Sequence, residues 1–286
     1  MKLCWFDNHR LGVVVGDRVH DVSEAMRVLP APTYPAGPKG DALVAHLDAV
    51  RAEIDRLLPH AAALPVSQVK LLSPVQAPTK IIGVPVNYLK HVEEAEADRA
   101  TFTDRYRGGI EEQGLFLKAT SALVGPGEGV RVRFPERSTH HEMELGVVIG
   151  RPAANVTRED ALSYVAGYCI ALDMVVRGPE DRSLRKSIDS YAVCGPWLVT
   201  ADEIPDPQAL DLSLAVNGEP RQRSNTAHMI MDIATQIAWA SSFYTLWPGD
   251  IIMTGTCEGV GPVLPGDRMH CEIDRIGAMD VPVTAA

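Results

Sequence analysis

The chain has 286 residues, of which 46% are apolar, and its formal net charge at pH 7 is -10. This length fits one large domain, or a large domain with a small one, and an acidic chain without a basic patch gains no counterion-release affinity for nucleic acid. No apolar run reaches the roughly 18 residues that a membrane span needs, and the first residues lack the apolar core of a signal peptide, so we expect a cytoplasmic protein with neither a nucleic-acid nor a membrane partner.

The first 72 residues predict a small α/β module. Residues 1–26 carry apolar and β-branched runs on both sides of Gly16–Asp17, a pattern typical of a β-hairpin. The stretch "DALVAHLDAVRAEIDRLLPHAAAL" has apolar residues at helical spacing and predicts one amphipathic helix. The proline-rich stretch "SPVQAPTK" follows, so we place a domain boundary there and expect domains at 1–72 and 73–286.

Residues 73–286 predict a β-rich main domain. The candidate strands are "KIIGVPV", "VRVRF", "ELGVVIG", "AGYCIALDMVV", "LSLAVNG", "DIIMTG" and "RMHCEI". Two helices are predicted, one over "TREDALSYV" with Thr157 as its N-cap and one over "TAHMIMDIATQIAWASSFY". Strands that occur in runs with few helices favour the α+β class over a doubly wound sheet.

The segment 91–114 differs from its flanks. From Glu93 to Gly114 it is strongly charged, ends in a Gly-rich stretch and has few core-forming residues. One interpretation is a solvated surface helix and loop. The other is a mobile lid over a site, because long loops without a core are often functional.

Two carboxylates stand one residue apart in "HHEMELGVVIG". Glu142 and Glu144 share a strand face at the edge of an apolar run, where like charges repel and are costly to desolvate. Asp173 interrupts the apolar run "GYCIALDMVV" and is the best third ligand. An all-oxygen set favours Mg²⁺ or Mn²⁺, and Ca²⁺ also accepts such ligands. In the alternative without a metal, Glu144 binds an arginine or a backbone amide and Asp173 caps a turn.

Three further groups suit chemistry beside that site. In a helix that begins at Tyr88, His91 and Glu94 share a face, and a histidine oriented by a carboxylate can take a proton from water. Lys186 precedes an apolar strand and could stabilise an enolate. The turn in "DIIMTGTCEGVG" could bind a carboxylate through its N–H groups and the Thr256 hydroxyl. Each has a plain alternative: a solvated helix, a surface lysine and an ordinary glycine loop.

Taken together, these stretches resemble the fumarylacetoacetate hydrolase family. "GVPVNYLKH", "FLKATSALVGPGE", "HHEMELGVVIG", "KSIDSYAVCGPWLVT", "VNGE" and "LWPGDIIMTGTCEGVGPV" occur in the family's order and spacing over roughly residues 80–283. Within the family, the chain is most similar to the branch of acylpyruvases and 2-hydroxyhepta-2,4-diene-1,7-dioate isomerases. The resemblance implies a mixed β-roll preceded by a short N-terminal domain, and a homodimer.

The resemblance also implies roles for individual residues. The implied roles are metal ligation by Glu142, Glu144 and Asp173, water activation by His91 and Glu94 on a lid helix, enolate stabilisation by Lys186, and substrate binding by Arg177 and by the loop of Thr254, Gly255 and Thr256. The chain departs from the family pattern at "PVNY", at Leu172 and Glu180, and in the short stretch "GPEDRSLR". Since those positions flank the substrate, they put the substrate in question and not the metal.

The sequence therefore predicts a Mg²⁺- or Mn²⁺-dependent hydrolase that cleaves a C–C bond in a β-diketo acid of the acylpyruvate type. The metal would chelate the 2-oxo acid, and water activated by His91 would attack the distal carbonyl. Two alternatives use the same enolate: decarboxylation of an oxaloacetate-type acid and isomerisation of a hydroxymuconate-type dioate. A binding protein with an inactive site is a third alternative, which the intact pair of His91 and Glu94 disfavours.

Overall fold

A computed structural model describes residues 1–31, 39–97 and 109–286 of the chain. The α-helices of these residues are α1 Ala42–Ala45, α2 Leu47–Leu57, α3 Leu89–Ala97, α4 Ile110–Gln113, α5 Arg182–Arg185 and α6 Ile233–Phe243. The strands are β1 Lys2–Phe6, β2 Arg10–Val15, β3 Arg18–Asp21, β4 Ala63–Pro65, β5 Leu71–Leu72, β6 Ile81–Gly83, β7 Phe116–Lys118, β8 Leu123–Val124, β9 Val130–Val132, β10 Thr139–His141, β11 Met143–Ile149, β12 Val165–Asp173, β13 Val175–Val176, β14 Ala192–Thr200, β15 Asp211–Val216, β16 Glu219–Asn225, β17 Ile251–Met253, β18 Gly261–Val263, β19 Arg268–Ile273 and β20 Gly277–Ala285.

A large mixed sheet organises the described part of the chain. Its main path runs β4-β3-β2-β1-β14-β12-β11-β17-β6-β7, and β5 and β8 pair with β1 and β14. Strands β11, β12 and β14 are buried along their whole length. They consist mainly of apolar residues, interrupted by Glu144 and Asp173, because both faces of the sheet are covered.

Alternate residues of the central strands enter two different cores. Val147 packs into one apolar cluster and its neighbour Val148 into the other, as the two-residue repeat of a strand requires. Helix α2 covers one face of the sheet through Val50 and Ile54. The other face packs against a second sheet with the order β16-β15-β19-β20-β9. Strand β19 of that second sheet alternates buried and exposed residues, so one of its faces meets solvent.

The strand-rich α+β class predicted from the sequence is confirmed, but two predicted helices have different bounds and a third is not an α-helix. The predicted helix that starts at Asp41 breaks at His46 into α1 and α2. The helix predicted after Thr157 is wrong, because the segment forms a turn and a short 3₁₀ helix at Ala161–Tyr164. The last predicted helix begins only at α6, where the Asp232 side chain accepts from the Thr235 N–H.

The predicted boundary between residues 72 and 73 stays a prediction. Strand β1 of the N-terminal region pairs with β14, so this region continues the large sheet. Of the predicted lid, 98–108 lie outside the described residues. No helix among the described residues is long and apolar enough to cross a membrane.

Candidate active site

Two neighbouring strands bring the three predicted carboxylates together. Glu144 lies on β11, Glu142 directly precedes that strand, and Asp173 ends β12. The two strands are antiparallel with Glu144 opposite Ala171, so Asp173 lies at the same end of the sheet as the glutamates. One oxygen from each carboxylate lies within 4.8 Å of the others, and all three residues are buried.

Buried cations surround these carboxylates. The Lys186 ammonium donates to both Glu142 and Asp173. A second ammonium, that of Lys118 at the end of β7, donates to the other oxygen of Asp173. The Arg177 guanidinium donates to Glu142 Oε1 over 3.3 Å. The negative charge concentrated here therefore already attracts positive side chains from three separate segments.

The carboxylates differ sharply in pKa. Burial would raise the pKa of Glu142, but Lys186 and Arg177 outweigh burial and hold that pKa at about 2. Burial, together with the charge of Asp173, raises the pKa of Glu144 well above its usual 4.5. A carboxyl group whose pKa is raised in this way has too little positive charge nearby to stabilise its ionised form.

This donor set fits a hard divalent cation. It consists of oxygen atoms from three buried carboxylates, which Mg²⁺ and Mn²⁺ prefer over softer ligands. The raised pKa of Glu144 also marks a place where additional positive charge is favourable. Glu142, Glu144 and Asp173 are therefore the residues that could hold the metal.

The turn after β17 packs against the carboxylate strand. The Gly255 N–H donates to Glu144 Oε2 over 2.7 Å. Gly255 has a φ of +97°, and a Cβ atom there would lie 2.5 Å from the Cβ of Asn87, so both conformation and space require glycine. The Thr254 and Thr256 hydroxyls donate to the carbonyls of Leu145 and Met143. Because the Thr256 hydroxyl is engaged within the protein, its role in binding substrate stays a prediction.

Helix α3 carries the predicted His–Glu pair beside this turn. His91 Nδ1 lies 2.9 Å from Glu94 Oε2, and the His91 residue is only 4% exposed. The buried Asn87 fixes the start of the helix, since its amide donates to the Thr254 carbonyl over 2.8 Å. A positive charge on His91 would lower the pKa of Glu142, so the pair lies within electrostatic reach of the carboxylates.

Three residues of the site carry no clear sequence signal: Lys118, Asn87 and Gln222, whose amide oxygen accepts from the Met143 N–H over 3.0 Å. Lys118 ends the stretch "LFLK", and the only sequence feature that marks it is its place directly after an apolar run. Glu180, one of the departures from the family pattern, pairs with Arg137 over 2.7 Å near Arg177.

Comparison with known proteins identifies close relatives. A family model described as the C-terminal region of fumarylacetoacetate (FAA) hydrolase matches residues 80–284. The maleylpyruvate hydrolase of Aquipseudomonas alcaligenes is 53% identical over 289 residues, which cover 99% of each chain. The mitochondrial oxaloacetate tautomerase fahd2 of Xenopus laevis is 37% identical over 76% of this chain and 69% of the relative.

A solved structure shows the same fold over its full length. It is the crystal structure of maleylpyruvate hydrolase from Sphingobium sp. SYK-6 in complex with manganese(II) and pyruvate. Its TM-score with the present structure is 0.84, its sequence identity is 41%, and the match covers 100% of both chains. The relative with this fold therefore binds a divalent metal together with a 2-oxo acid.

Proposed function

This chain belongs to the fumarylacetoacetate hydrolase family, and on that premise we propose that it is a Mg²⁺- or Mn²⁺-dependent hydrolase of acylpyruvate-type 2-oxo acids. It cleaves a C–C bond of the substrate, and maleylpyruvate is the first candidate because two similar proteins are maleylpyruvate hydrolases. The observation that carries the proposal is the cluster of Glu142, Glu144 and Asp173, which one loop connects to a His–Glu pair through hydrogen bonds to Glu144 and Glu94.

The metal would be held by these three carboxylates. When bound, Mg²⁺ or Mn²⁺ would supply Lewis-acid chemistry to the 2-oxo and carboxylate oxygens of the substrate. Arg177 would add positive charge for the substrate's anionic groups, since its guanidinium already lies beside Glu142. The N–H groups between Gly255 and Gly259 are the second candidate for this task, because the N–H groups of these two glycines already donate to Glu144 and Glu94.

His91 acts as the general base. A carboxylate can only accept a hydrogen bond, so Glu94 fixes the His91 proton on Nδ1 and leaves the lone pair on Nε2. The Nε2 atom takes a proton from water, and the resulting hydroxide attacks the carbonyl carbon distal to the 2-oxo acid. The bond between that carbon and the neighbouring methylene then breaks, and its electron pair passes to the enolate of pyruvate.

Lys186 offsets the charge of that enolate. Its ammonium is buried between Glu142 and Asp173, and these carboxylates outweigh the cost of burial and raise its pKa above the usual 10.5. The enolate carbon takes back the proton that His91 removed, which gives pyruvate, and the carboxylic acid of the acyl group releases its own proton to solvent and becomes a carboxylate. Water supplies one oxygen of that carboxylate, and no other reactant is needed.

The oxygen balance provides a direct test. We would incubate the Mn²⁺-loaded protein with maleylpyruvate in ¹⁸O-labelled water and analyse the products by mass spectrometry. Hydrolysis places one ¹⁸O atom from the attacking water in the maleate product. Consumption of maleylpyruvate without labelled maleate would exclude the hydrolase.

A second candidate function is the tautomerisation of oxaloacetate. It is favoured by the 37% identity to an oxaloacetate tautomerase. Moving a proton between carbon and enol oxygen needs a base such as His91 but no attacking water. Faster loss of the enol ultraviolet absorbance of oxaloacetate, with no acid released from maleylpyruvate, would favour this candidate over hydrolysis.

The remaining expectations belong to the same proposal. The resemblance to the family supports a homodimer with a short N-terminal domain, whereas the cytoplasmic location and the division into domains at 1–72 and 73–286 stay predictions from the sequence. Size-exclusion chromatography coupled to light scattering measures the oligomeric state. A monomer at micromolar concentration would contradict the proposed dimer without affecting the proposed reaction.

A further inference from the structure

Strand β16 carries one buried side chain that the reaction does not use. The strand runs along the edge of the second sheet, and Gln222 is its one fully buried residue, with 1% exposure. Burying an amide costs free energy unless its oxygen and nitrogen are both hydrogen-bonded. The partners of Gln222 therefore explain why an edge strand directs a polar group inward.

The amide of Gln222 connects two segments of the site. Its Oε1 accepts from the backbone N–H of Met143 and from His141 Nδ1, each over 3.0 Å. Its Nε2 donates to Thr256 Oγ1 over 2.8 Å and to the carbonyl of Cys257 over 3.0 Å. One side chain thus binds the start of the carboxylate strand on one side and the turn after β17 on the other.

Both connections lie next to the carboxylates. Met143 lies between Glu142 and Glu144 in the sequence, so a hydrogen bond to its backbone N–H holds the segment that carries both carboxylates. On the opposite side, Thr256 follows Gly255, whose N–H donates to Glu144 Oε2 over 2.7 Å. The Thr256 hydroxyl also donates to the Met143 carbonyl over 2.8 Å, which closes a ring of hydrogen bonds among Gln222, Met143 and Thr256 next to Glu144.

We propose that Gln222 is a positioning residue that sets the affinity of the carboxylate site for its divalent metal. By holding the turn against the strand, it keeps the Gly255 N–H on Glu144 Oε2 and so fixes the orientation of that carboxylate. Residues that orient metal ligands in this way typically change metal affinity by about 10–100-fold when they are replaced. This inference rests on the proposed function, since it assumes that the carboxylates bind a metal.

The test compares two Gln→Met substitutions in the full-length protein. Gln222→Met keeps the length of the side chain but leaves the Met143 N–H and the Cys257 carbonyl without this partner. Gln208→Met is the matched control. The Gln208 amide also joins two backbone groups, the Thr226 carbonyl and the Ile233 N–H, but neither group belongs to the proposed site. Mn²⁺ affinity is measured by electron paramagnetic resonance, and thermal unfolding of the metal-free protein is measured in parallel.

We expect Gln222→Met to weaken Mn²⁺ binding by at least about 10-fold, whereas Gln208→Met lowers the unfolding temperature without changing Mn²⁺ affinity. A purely structural role would lower stability in both variants and leave both affinities at the wild-type value. That result would overturn the inference while leaving the proposed function intact. If the wild-type protein itself binds no Mn²⁺, the proposed metal site fails, and the inference fails with it.

A second pair of variants covers the case in which Gln222→Met does not fold. Thr256→Val removes the hydroxyl that joins Gln222 to the Met143 carbonyl, and Thr256→Ser keeps it. We expect weaker Mn²⁺ binding in the valine variant and near wild-type binding in the serine variant. Equal affinities in the two variants would overturn the inference.

Discussion

Glu94 accepts a hydrogen bond from the backbone N–H of Gly259 over 3.0 Å. The other oxygen of the same carboxylate binds His91 Nδ1 over 2.9 Å. The loop that holds Glu94 also contains Gly255, whose N–H binds Glu144. The proposed base and the proposed metal ligand are thus attached to the same short loop, and a shift of the loop affects both.

Gly259→Ala should disturb the His–Glu pair. Gly259 has a φ of +88°, and a Cβ atom there would lie 1.9 Å from the Arg221 carbonyl oxygen, so the loop must move. The Gly259 N–H then leaves Glu94, and we expect kcat to fall by about 10-fold or more because the base is no longer oriented. Steady-state kinetics with saturating Mn²⁺ measures this effect.

Gly218→Ala is the matched control for that loop substitution. Gly218 has a similar φ of +84°, and apart from Gly218 and its two chain neighbours no described residue has a heavy atom within 4 Å of the position of its added Cβ. It therefore shares the backbone strain of about 1–3 kcal/mol without the collision. An equal loss of kcat in both variants would mean that general strain, and not the contact with Glu94, causes the effect.

His91→Ala should abolish most hydrolysis while leaving metal binding unchanged. Loss of a general base typically lowers the rate by about 10²–10⁴-fold, and His91 belongs to α3 and not to the carboxylate cluster. The measurements are pyruvate release from maleylpyruvate and Mn²⁺ affinity on the same sample. Hydrolysis at the wild-type rate would remove His91 from the proposed mechanism.

Lys118→Met should make the fold dependent on added metal. Lys118 has a fully buried side chain that donates to Asp173, and breaking such a pair on one side costs about 3–5 kcal/mol. A bound cation restores the missing positive charge, so Mn²⁺ should raise the unfolding temperature of the variant more than that of the wild type. The exposed Lys90, which lies 3.7 Å from Glu258, provides the control substitution Lys90→Met. Equal shifts with Mn²⁺ in the wild type and in Lys118→Met would contradict the predicted charge compensation.

The pairing of Arg51 with Asp202 should give stability that depends on pH. Two hydrogen bonds of 3.2 and 2.8 Å join α2 to the 3₁₀ helix Ala201–Glu203 that follows β14. The hydrogen bond from Arg51, together with one from the Thr200 side chain, lowers the pKa of Asp202 from 3.8 to about 2. Because the folded pKa lies below the unfolded one, the stabilisation is complete above pH 3.8 and is lost as the pH falls towards 2.

Asp202→Asn measures this contribution. The difference in unfolding temperature between wild type and variant should be largest near neutral pH and should shrink between pH 4 and pH 2. The same substitution in an Arg51→Ala background should show much less dependence on pH, since the lowering of the pKa has lost its main cause. A difference in unfolding temperature that grows towards low pH would contradict the lowered pKa of Asp202 in the folded protein.

Local periodicity predicted those parts of the site whose members are neighbours in sequence. The two-residue repeat of a strand placed Glu142 and Glu144 on one face, and the helical repeat placed Glu94 beside His91. These relationships depend on backbone geometry alone. The structure brings both pairs into the arrangement that the sequence predicts.

The supporting residues could not be predicted in this way, because their partners are distant in sequence. Lys118 and Asp173 are 55 positions apart, and Gln222 and Met143 are 79 positions apart. A lysine after an apolar run and a glutamine on a polar strand have no local pattern that distinguishes them from surface residues. The helix predicted after Thr157 is wrong for a local reason: the Thr157 hydroxyl accepts from the Asp160 N–H over 3.3 Å as an N-cap would, but a short 3₁₀ helix follows the capped turn.

The most direct test of the central claim is pyruvate release from maleylpyruvate by protein that has been stripped of metal and then reloaded. The proposed site predicts pyruvate and maleate in equal amounts with Mn²⁺ or Mg²⁺, negligible product with EDTA, and no recovery by Mn²⁺ in Glu144→Gln. Pyruvate release that EDTA leaves unchanged, or full recovery by Mn²⁺ in that variant, would contradict a metal-dependent hydrolase built on these carboxylates.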